Sequence, residues 1–190
     1  MFADDLKLFT RIFSITDCVR LQRALDTLLR WCERNRLSLN VSKCHVMSYT
    51  KKCNKILYNY RVDKHELSRL TEYRDLGVLC DSQCSFVPHL NQLISSVSKT
   101  YGYIIRNGRR FNNSNTLIIL FNSFIRSKLE YCSIIWRPIY SCHKKRIESV
   151  QRKFYKYLVW REDGVYPNIG CCNDMLLGRF GAEPIEQRVK

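Results

Sequence analysis

The sequence predicts an α+β fold in which a mixed unit of short strands and one helix precedes an all-helical bundle. Up to about residue 85, short and loosely alternating apolar stretches are typical of strands. From Val87 onward, apolar residues recur at helical spacing instead. We therefore predict residues 1–85 as the mixed unit, residues 86–161 as the bundle and residues 162–190 as a tail with one short helix.

The first expected element is a hairpin at the start of the chain. Asp4 and Asp5 would form its acidic turn, and residues 6–9 would form the returning strand. Adjacent carboxylates repel each other, and a bound divalent cation relieves that repulsion. A solvated turn explains the same pair without any ion, so both interpretations stand at this point.

One helix is expected next in the mixed unit. Thr16 or Asp17 suits its N-cap, because both side chains accept hydrogen bonds from free backbone N–H groups. Its apolar residues fall on one narrow stripe that we expect to pack against a sheet: Leu21, Ala24, Leu25, Leu28, Trp31 and Cys32.

Further strands are expected between this helix and residue 85. Residues 37–50 alternate loosely and predict a turn followed by a strand. Residues 55–66 predict a hairpin whose turn includes Asp63 and Lys64. Residues 76–79 predict one more short strand.

Three amphipathic helices are expected in the bundle. Pro88 suits the first turn of the first helix, and Gly108 suits its end. The second, about residues 114–131, is apolar on more than one side, which predicts a central position: Leu117, Ile118, Phe121, Phe124 and Ile125. The third, about residues 142–160, buries an apolar stripe that includes Phe154. In the tail, Asn173 is expected to cap a last helix.

Positive charge is concentrated in the helical bundle. The chain has 32 Lys and Arg against 17 Asp and Glu, a net charge of +15. Residues 99–161 contain fourteen Lys or Arg but only two acidic residues, Glu130 and Glu148. Such an excess suits a polyphosphate partner, although a solvated basic face gives the same count. On the third helix, Lys145, Arg152 and Lys156 are expected on the face opposite the apolar stripe.

The ten cysteines predict neither a disulfide framework nor a convincing zinc site. We find no N-terminal signal peptide, so we expect reduced thiols and a nuclear or cytoplasmic location. Cys80, Cys84 and His89 are the nearest approach to a zinc motif, but no fourth ligand follows at a suitable spacing. No apolar run approaches the roughly 20 residues of a membrane span, so no membrane partner is expected.

Several motifs, in order, resemble the reverse transcriptases of non-LTR retrotransposons of the jockey-like, LINE type. The first is Phe2-Ala3-Asp4-Asp5, which is similar to the aromatic-Ala-Asp-Asp box of that family. The others are Trp31 with Asn35, Leu37-Ser38-Leu39-Asn40 with Lys43-Cys44, Tyr73-Arg74-Asp75-Leu76-Gly77-Val78, the segment from Ser123 to Cys132, and Arg146 to Phe154. The resemblance runs from Phe2 to Gln187.

This resemblance implies the C-terminal half of a polymerase, with the end of the palm in residues 1–85 and a thumb or connection in residues 86–161. Asp4 and Asp5 would bind the two catalytic Mg²⁺ ions, and Lys43 would assist the leaving pyrophosphate. Gly77 would let the backbone approach the primer, and Lys145, Arg152 and Lys156 would hold phosphates. The implied partners are an RNA template, a DNA primer, deoxynucleotides and an upstream polymerase half.

Each role has a plainer alternative. Lys43 reads equally well as an ordinary surface lysine, and Gly77 as the site of a simple bulge. Two-metal catalysis needs carboxylates from two strands, and the family's other catalytic aspartate lies upstream of the acidic box. We therefore expect this chain alone to be inactive. The alternative is a catalytically dead remnant in which only the basic bundle still binds nucleic acid.

Overall fold

The computed structural model describes most of the chain, and within it the fold divides into two compact units. The described ranges are residues 5–52, 54–111, 113–138, 140–168 and 171–185.

Unit 1 comprises Met1–Tyr73 and Asp81–Cys84, and unit 2 comprises Arg74–Cys80 and Ser85–Lys190. Each unit has its own core, so the two are described separately.

The helix of unit 1, α1, spans Ile15–Arg34 and begins earlier than predicted. Its N-cap is Ser14, not Thr16 or Asp17. The Asp17 carboxylate accepts hydrogen bonds from the backbone N–H groups of Phe13 and Ser14, each at 3.0 Å. These bonds lower the pKa of Asp17. Asp17 therefore closes the helix start from inside the first turn.

The apolar stripe of α1 is only partly covered. Cys18 and Cys32 are buried, whereas Leu21, Leu25 and Leu28 are half-buried. Trp31, predicted to pack on the sheet, is 54% exposed. The prediction of one continuous packed stripe is therefore wrong at Trp31 and at Ala24, which is also exposed.

Short strands make up the rest of unit 1. Strand β1 is His45–Met47, β2 is Arg61–Val62, β3 is His65–Glu66 and β4 is Ser68–Leu70. Strands β1 and β4 pair in parallel, whereas β2 and β3 form an antiparallel hairpin. Its turn contains Asp63, at φ +55°, which confirms the predicted turn, whereas residues 55–60 of the predicted hairpin form no strand.

Helix α1 is joined to the β2–β3 hairpin by paired hydrogen bonds. The Gln22 side chain donates to the Arg61 carbonyl at 2.8 Å and accepts from the Arg61 N–H at 2.9 Å. Tyr60 and Val62 are buried in the same unit. Burial and a hydrogen bond to Cys18 raise the pKa of Tyr60 to about 12. These contacts form the small core of unit 1.

A second hairpin contains the predicted strand at residues 76–79, but two residues later than expected. Strand β5 is Glu72–Asp75 and β6 is Val78–Asp81, and the two pair with each other. Leu76 and Gly77 lie between them with φ values of +44° and +87°. Positive φ at both central positions is typical of a tight two-residue hairpin turn, which explains the glycine.

The first helix of unit 2, α2, confirms the predicted limits. It spans Val87–Asn107, with Pro88 in its first turn and Gly108 as its C-cap. Gly108 is packed tightly, because an added Cβ would lie 2.5 Å from the Leu117 side chain. Arg161 donates to the Gly108 carbonyl at 2.7 Å and also to the Phe111 carbonyl. Its guanidinium therefore donates hydrogen bonds to backbone carbonyls that follow this helix.

The second predicted helix is interrupted by a π turn. It consists of α3 (Ser114–Phe121), the π turn Asn122–Arg126 and α4 (Ser127–Glu130). Leu117, Phe121, Ile125 and Leu129, at intervals of four, are all fully buried. In an uninterrupted α-helix, side chains at intervals of four move progressively around the helix axis. The wider π turn offsets this rotation and keeps the four side chains on one face. Phe124, predicted to be in the core, is 53% exposed as a result.

Three helices complete unit 2. The short α5 is Ser133–Trp136, the long α6 is Ser141–Asp163 and α7 is Asn173–Arg179, whose N-cap is Cys172, not Asn173. Their buried side chains join those of α2 and α3 in one core that includes Val97, Phe154 and Leu158. In the described part of the chain, no helix is long and apolar enough to cross a membrane.

Candidate nucleic-acid interface

The candidate metal site lies only partly within the described residues. Asp4 is outside them, whereas Asp5 is exposed and takes part in an isolated β-bridge. Residues 6–9 form no strand, and Leu6, Leu8 and Phe9 are exposed, so the predicted returning strand is wrong. No three His, Cys, Asp or Glu side chains of the described ranges cluster as metal ligands.

Lys43 belongs to unit 1, as does Asp5. It is the last residue of the short 3₁₀ turn Val41–Lys43 and directly precedes the segment leading into β1. Its side chain is exposed, which suits both a role in catalysis and an ordinary surface position.

Gly77 is explained by its backbone conformation within unit 2. It lies in the β5–β6 turn, and the ring of Tyr131 would be 3.5 Å from a Cβ placed there. The Tyr131 hydroxyl donates to the Leu76 carbonyl at 2.8 Å. The ring would be in ordinary contact with a Cβ, so the positive φ of +87° is what favours glycine at this position. The alternative of a bulge is wrong, and approach to a primer stays a prediction.

Unit 2 carries a set of exposed cationic side chains, which we call the basic surface. Ten of the fourteen Lys and Arg residues between positions 99 and 161 belong to it: Lys99, Arg106, Arg109, Arg110, Lys128, Arg137, Lys145, Arg146, Arg152 and Lys153. These side chains come from several elements of the bundle. Exposed cations on a rigid scaffold can contact phosphates without reading base sequence.

Arg126, another basic residue in this range, serves the interior of unit 2. Arg126 is 5% exposed, pairs with Glu130 at 2.7 Å and donates to the Glu183 carbonyl at 3.1 Å. Gln151 donates to the same carbonyl at 2.9 Å. Ile185 is also buried, so this part of the tail is tied to the bundle. Arg126 is therefore a structural cation.

The placement of Lys156 on the solvent-facing side of α6 is wrong. Lys156 is 9% exposed, and its ammonium donates to the Asn168 carbonyl at 2.9 Å. It also lies 5.8 Å from the centroid of the Tyr166 ring. The chain after α6 returns over this side of the helix and covers the lysine. The Lys156 ammonium is therefore not available for contact with a phosphate.

Lys145 and Arg152 are both exposed and border one cleft of about 360 Å³. Glu148, Ser149 and Asn173 complete its lining. Four of the five lining residues come from α6, and Asn173 begins α7. The structure thus brings two predicted site residues together with residues that sequence reasoning missed. Ser149 could have been found from its position, four residues after Lys145 and three before Arg152.

His89 has a structural role that differs from the rejected zinc interpretation. It is buried, its Nδ1 accepts a hydrogen bond from the Leu79 N–H at 3.2 Å, and its ring meets Trp136 edge-on at 5.4 Å. Burial lowers the pKa of His89 below its usual value, and the charge of Arg74 lowers it further. The imidazole is therefore held neutral within unit 2.

We expect the stability of unit 2 to fall as pH falls below about 6.5, the pKa of an unfolded histidine. The unfolded chain takes up the proton before folded His89 does, so protonation favours unfolding until pH reaches the lowered folded pKa. Urea unfolding between pH 5 and pH 8 measures this. His89→Gln keeps an acceptor for Leu79 but does not titrate, so its pH dependence should be smaller. Equal dependence in both proteins would contradict the prediction.

Part of the chain is similar to a known polymerase. Over 96 residues, 48% of the chain, it is 29% identical to the RNA-directed DNA polymerase from mobile element jockey of Drosophila funebris. The match covers 10% of the length of that polymerase. No family model matches the chain, and no solved structure matches it. Over the matched segment, the chain is therefore similar to a reverse transcriptase of a mobile element.

Proposed function

We propose that this chain is part of an RNA-directed DNA polymerase of a mobile element and that unit 2 holds its nucleic acids by their phosphates. The similarity to the jockey polymerase carries the proposal. The basic surface supports it, because ten exposed cations suit a polyanion. The partners would be an RNA template and a DNA primer, held as a thumb holds a duplex.

The proposed chemistry belongs to the acidic pair near the start of the chain. Asp4 and Asp5 would hold Mg²⁺, since carboxylate oxygens are its preferred protein ligands. Bound Mg²⁺ would activate the primer hydroxyl and neutralise the pyrophosphate released from a deoxynucleotide. Asp5 is exposed and therefore open to such an ion. Lys43 would contribute positive charge near the leaving group.

The second candidate function is a nucleic-acid-binding remnant without catalysis. One observation favours keeping it: the basic surface belongs to unit 2, whereas Asp5 and Lys43 belong to unit 1. Binding to phosphates would therefore persist if the acidic pair lost its function.

We expect the chain to bind an RNA–DNA duplex with an affinity that falls steeply as salt increases. Each phosphate contact contributes about −0.9 to the slope of log K against log salt on B-form DNA. Replacing both Lys145 and Arg152 by Ala should therefore reduce the slope by about 2 and weaken binding to all sequences alike. Fluorescence anisotropy across a salt series measures both quantities.

The matched control is the double variant Arg23→Ala with Arg30→Ala, which removes the same charge from exposed positions of α1 in unit 1. Its slope should stay close to that of the unchanged chain. Binding that does not depend on salt, or an equal loss in both double variants, would remove the assignment of phosphate contacts to Lys145 and Arg152.

A further inference from the structure

The two tyrosines of α2 have very different surroundings. Tyr101 is half-buried against the core of unit 2, and its hydroxyl donates to the Lys153 carbonyl at 3.4 Å. Tyr103 is 63% exposed and lies outside that core. Packing in unit 2 therefore does not account for an aromatic side chain at position 103.

Tyr103 lies on the face of α2 opposite the buried stripe of this helix. That stripe repeats at intervals of seven: Leu90, Val97 and Ile104. In a helix of 3.6 residues per turn, Lys99, Tyr103 and Arg106 lie within about 60° of one another on the other side. All three are exposed. The Tyr103 ring therefore has a lysine one turn before it and an arginine one turn after it.

Two contacts bring positive charge close to this ring. Gly102 leaves room for Arg106, because a Cβ at Gly102 would lie 3.2 Å from Arg106 Nη1. The guanidinium thus lies beside the residue that precedes Tyr103. From α4, the Lys128 ammonium donates to the Thr100 hydroxyl at 3.4 Å. Thr100 is three positions before Tyr103, so the two are neighbours on the helix surface.

The charge of this face is not balanced by nearby acidic residues of the same segment. Residues 82–129 contain no Asp or Glu. A solvated basic helix needs no exposed aromatic ring, whereas proteins that bind single-stranded nucleic acid combine the two features. Cations follow the backbone, and each aromatic ring stacks on a base. Within a duplex the bases already stack on one another, so the Tyr103 ring suits an unpaired base.

We propose that the exposed face of α2 binds an unpaired stretch of nucleic acid, with one base stacked on the Tyr103 ring. Lys99 and Arg106 contact the phosphates on either side of that base, and Lys128 adds a third positive charge beside it. This rests on the proposed function and extends it, because it adds a contact to a base where that function has contacts to phosphates alone. Every base of RNA and DNA has a face for stacking, so the site takes either strand.

The test compares three probes for binding to the full chain: a short single strand, an abasic strand of the same length and a duplex of the same length. The single strand is used both as RNA and as DNA. Tyr103→Ala should weaken binding of the single strand about 5-fold or more, the effect of losing one stacked base. Binding of the abasic strand and of the duplex should be almost unchanged, because neither offers an unpaired base to the ring.

Further variants separate stacking from charge. Tyr103→Phe keeps the ring and should bind the single strand like the unchanged chain. Tyr103→Ala should keep the slope of log K against log salt, because tyrosine carries no charge at neutral pH. Replacing both Lys99 and Arg106 by Ala should reduce that slope by about 1.4, since each phosphate contact on a single strand contributes about 0.7. The matched control is Tyr140→Ala, which removes a tyrosine that is 71% exposed just before α6 and should leave binding unchanged.

The outcomes distinguish this proposal from the one on which it rests. Salt-dependent binding of the single strand that is equally tight in Tyr103→Ala would overturn the α2 site alone and leave this face to a partner other than nucleic acid. An equal loss with the abasic strand, or in Tyr140→Ala, would also overturn it, because the Tyr103 ring would then not act through a base. If neither the single strands nor the duplex bind, both proposals fail.

Discussion

Replacing Asp4 by Asn should abolish magnesium-dependent primer extension by a polymerase that contains this chain. The substitution keeps the size of the side chain but removes the negative charge that would bind the ion under the proposed function. Changes to groups that only orient metal ligands cost about 10–100-fold, so loss of a direct ligand should cost more than about 100-fold. Asp5→Asn should reduce activity as well, but by less.

The assay requires a fusion, because two ions about 3.5–4 Å apart need a carboxylate from another strand. The strands of a related element that precede the acidic pair are joined ahead of Met1, and extension of a DNA primer on RNA is followed. The chain without them should not extend a primer. Duplex binding by the Asp4→Asn fusion should be almost unchanged, since the basic surface is intact.

The matched control for this substitution is Asp63→Asn. Asp63 is an exposed aspartate in the β2–β3 turn, and asparagine tolerates its positive φ of +55°. This variant should retain full activity. Full activity in the Asp4→Asn fusion would show that the acidic pair is not the metal site, and the remnant function would then be preferred.

The helices of unit 2 could be predicted from the sequence because their limits depend on local signals. Pro88 and Gly108 bracket α2, and a proline in the first turn and a glycine at the C-cap act over one or two residues. The π turn at Asn122–Arg126 gave no such signal. The position of this π turn depends on the side chains against which the helix packs. The turn places Phe124 outside the core.

The difference between local signals and long-range packing also explains how much of the candidate site could be predicted. Helical spacing places Lys145, Arg152 and Lys156 on one face of α6. Periodicity cannot show that the chain returns over that face, which buries Lys156 against the Asn168 carbonyl. The return also brings Asn173 to the cleft, although it is 21 positions beyond Arg152 in the sequence. Long-range contacts of this kind are decided by packing and not by local pattern.

Replacing Phe154 by Ala should destabilise unit 2 by about 3–5 kcal/mol, the usual cost of removing a buried phenylalanine. Phe154 is fully buried, and its ring stacks on Phe121 with centroids 4.2 Å apart and an interplanar angle of 12°. It also meets the ring of Tyr155 edge-on at 5.3 Å. A shortened side chain would leave a cavity beside two aromatic rings that the surrounding helices cannot fill.

Urea unfolding followed by tryptophan fluorescence measures this loss, because Trp136 is buried in unit 2. Phe154→Leu fills part of the cavity and should lose less, which keeps the test informative if the Ala variant does not fold. The matched control is Phe124→Ala, which removes the same side chain from a position that is 53% exposed. Surface changes usually stay within about 0.5 kcal/mol, so this control should unfold almost like the original chain. Equal losses in the two Ala variants would contradict the placement of Phe154 in the core and of Phe124 at the surface.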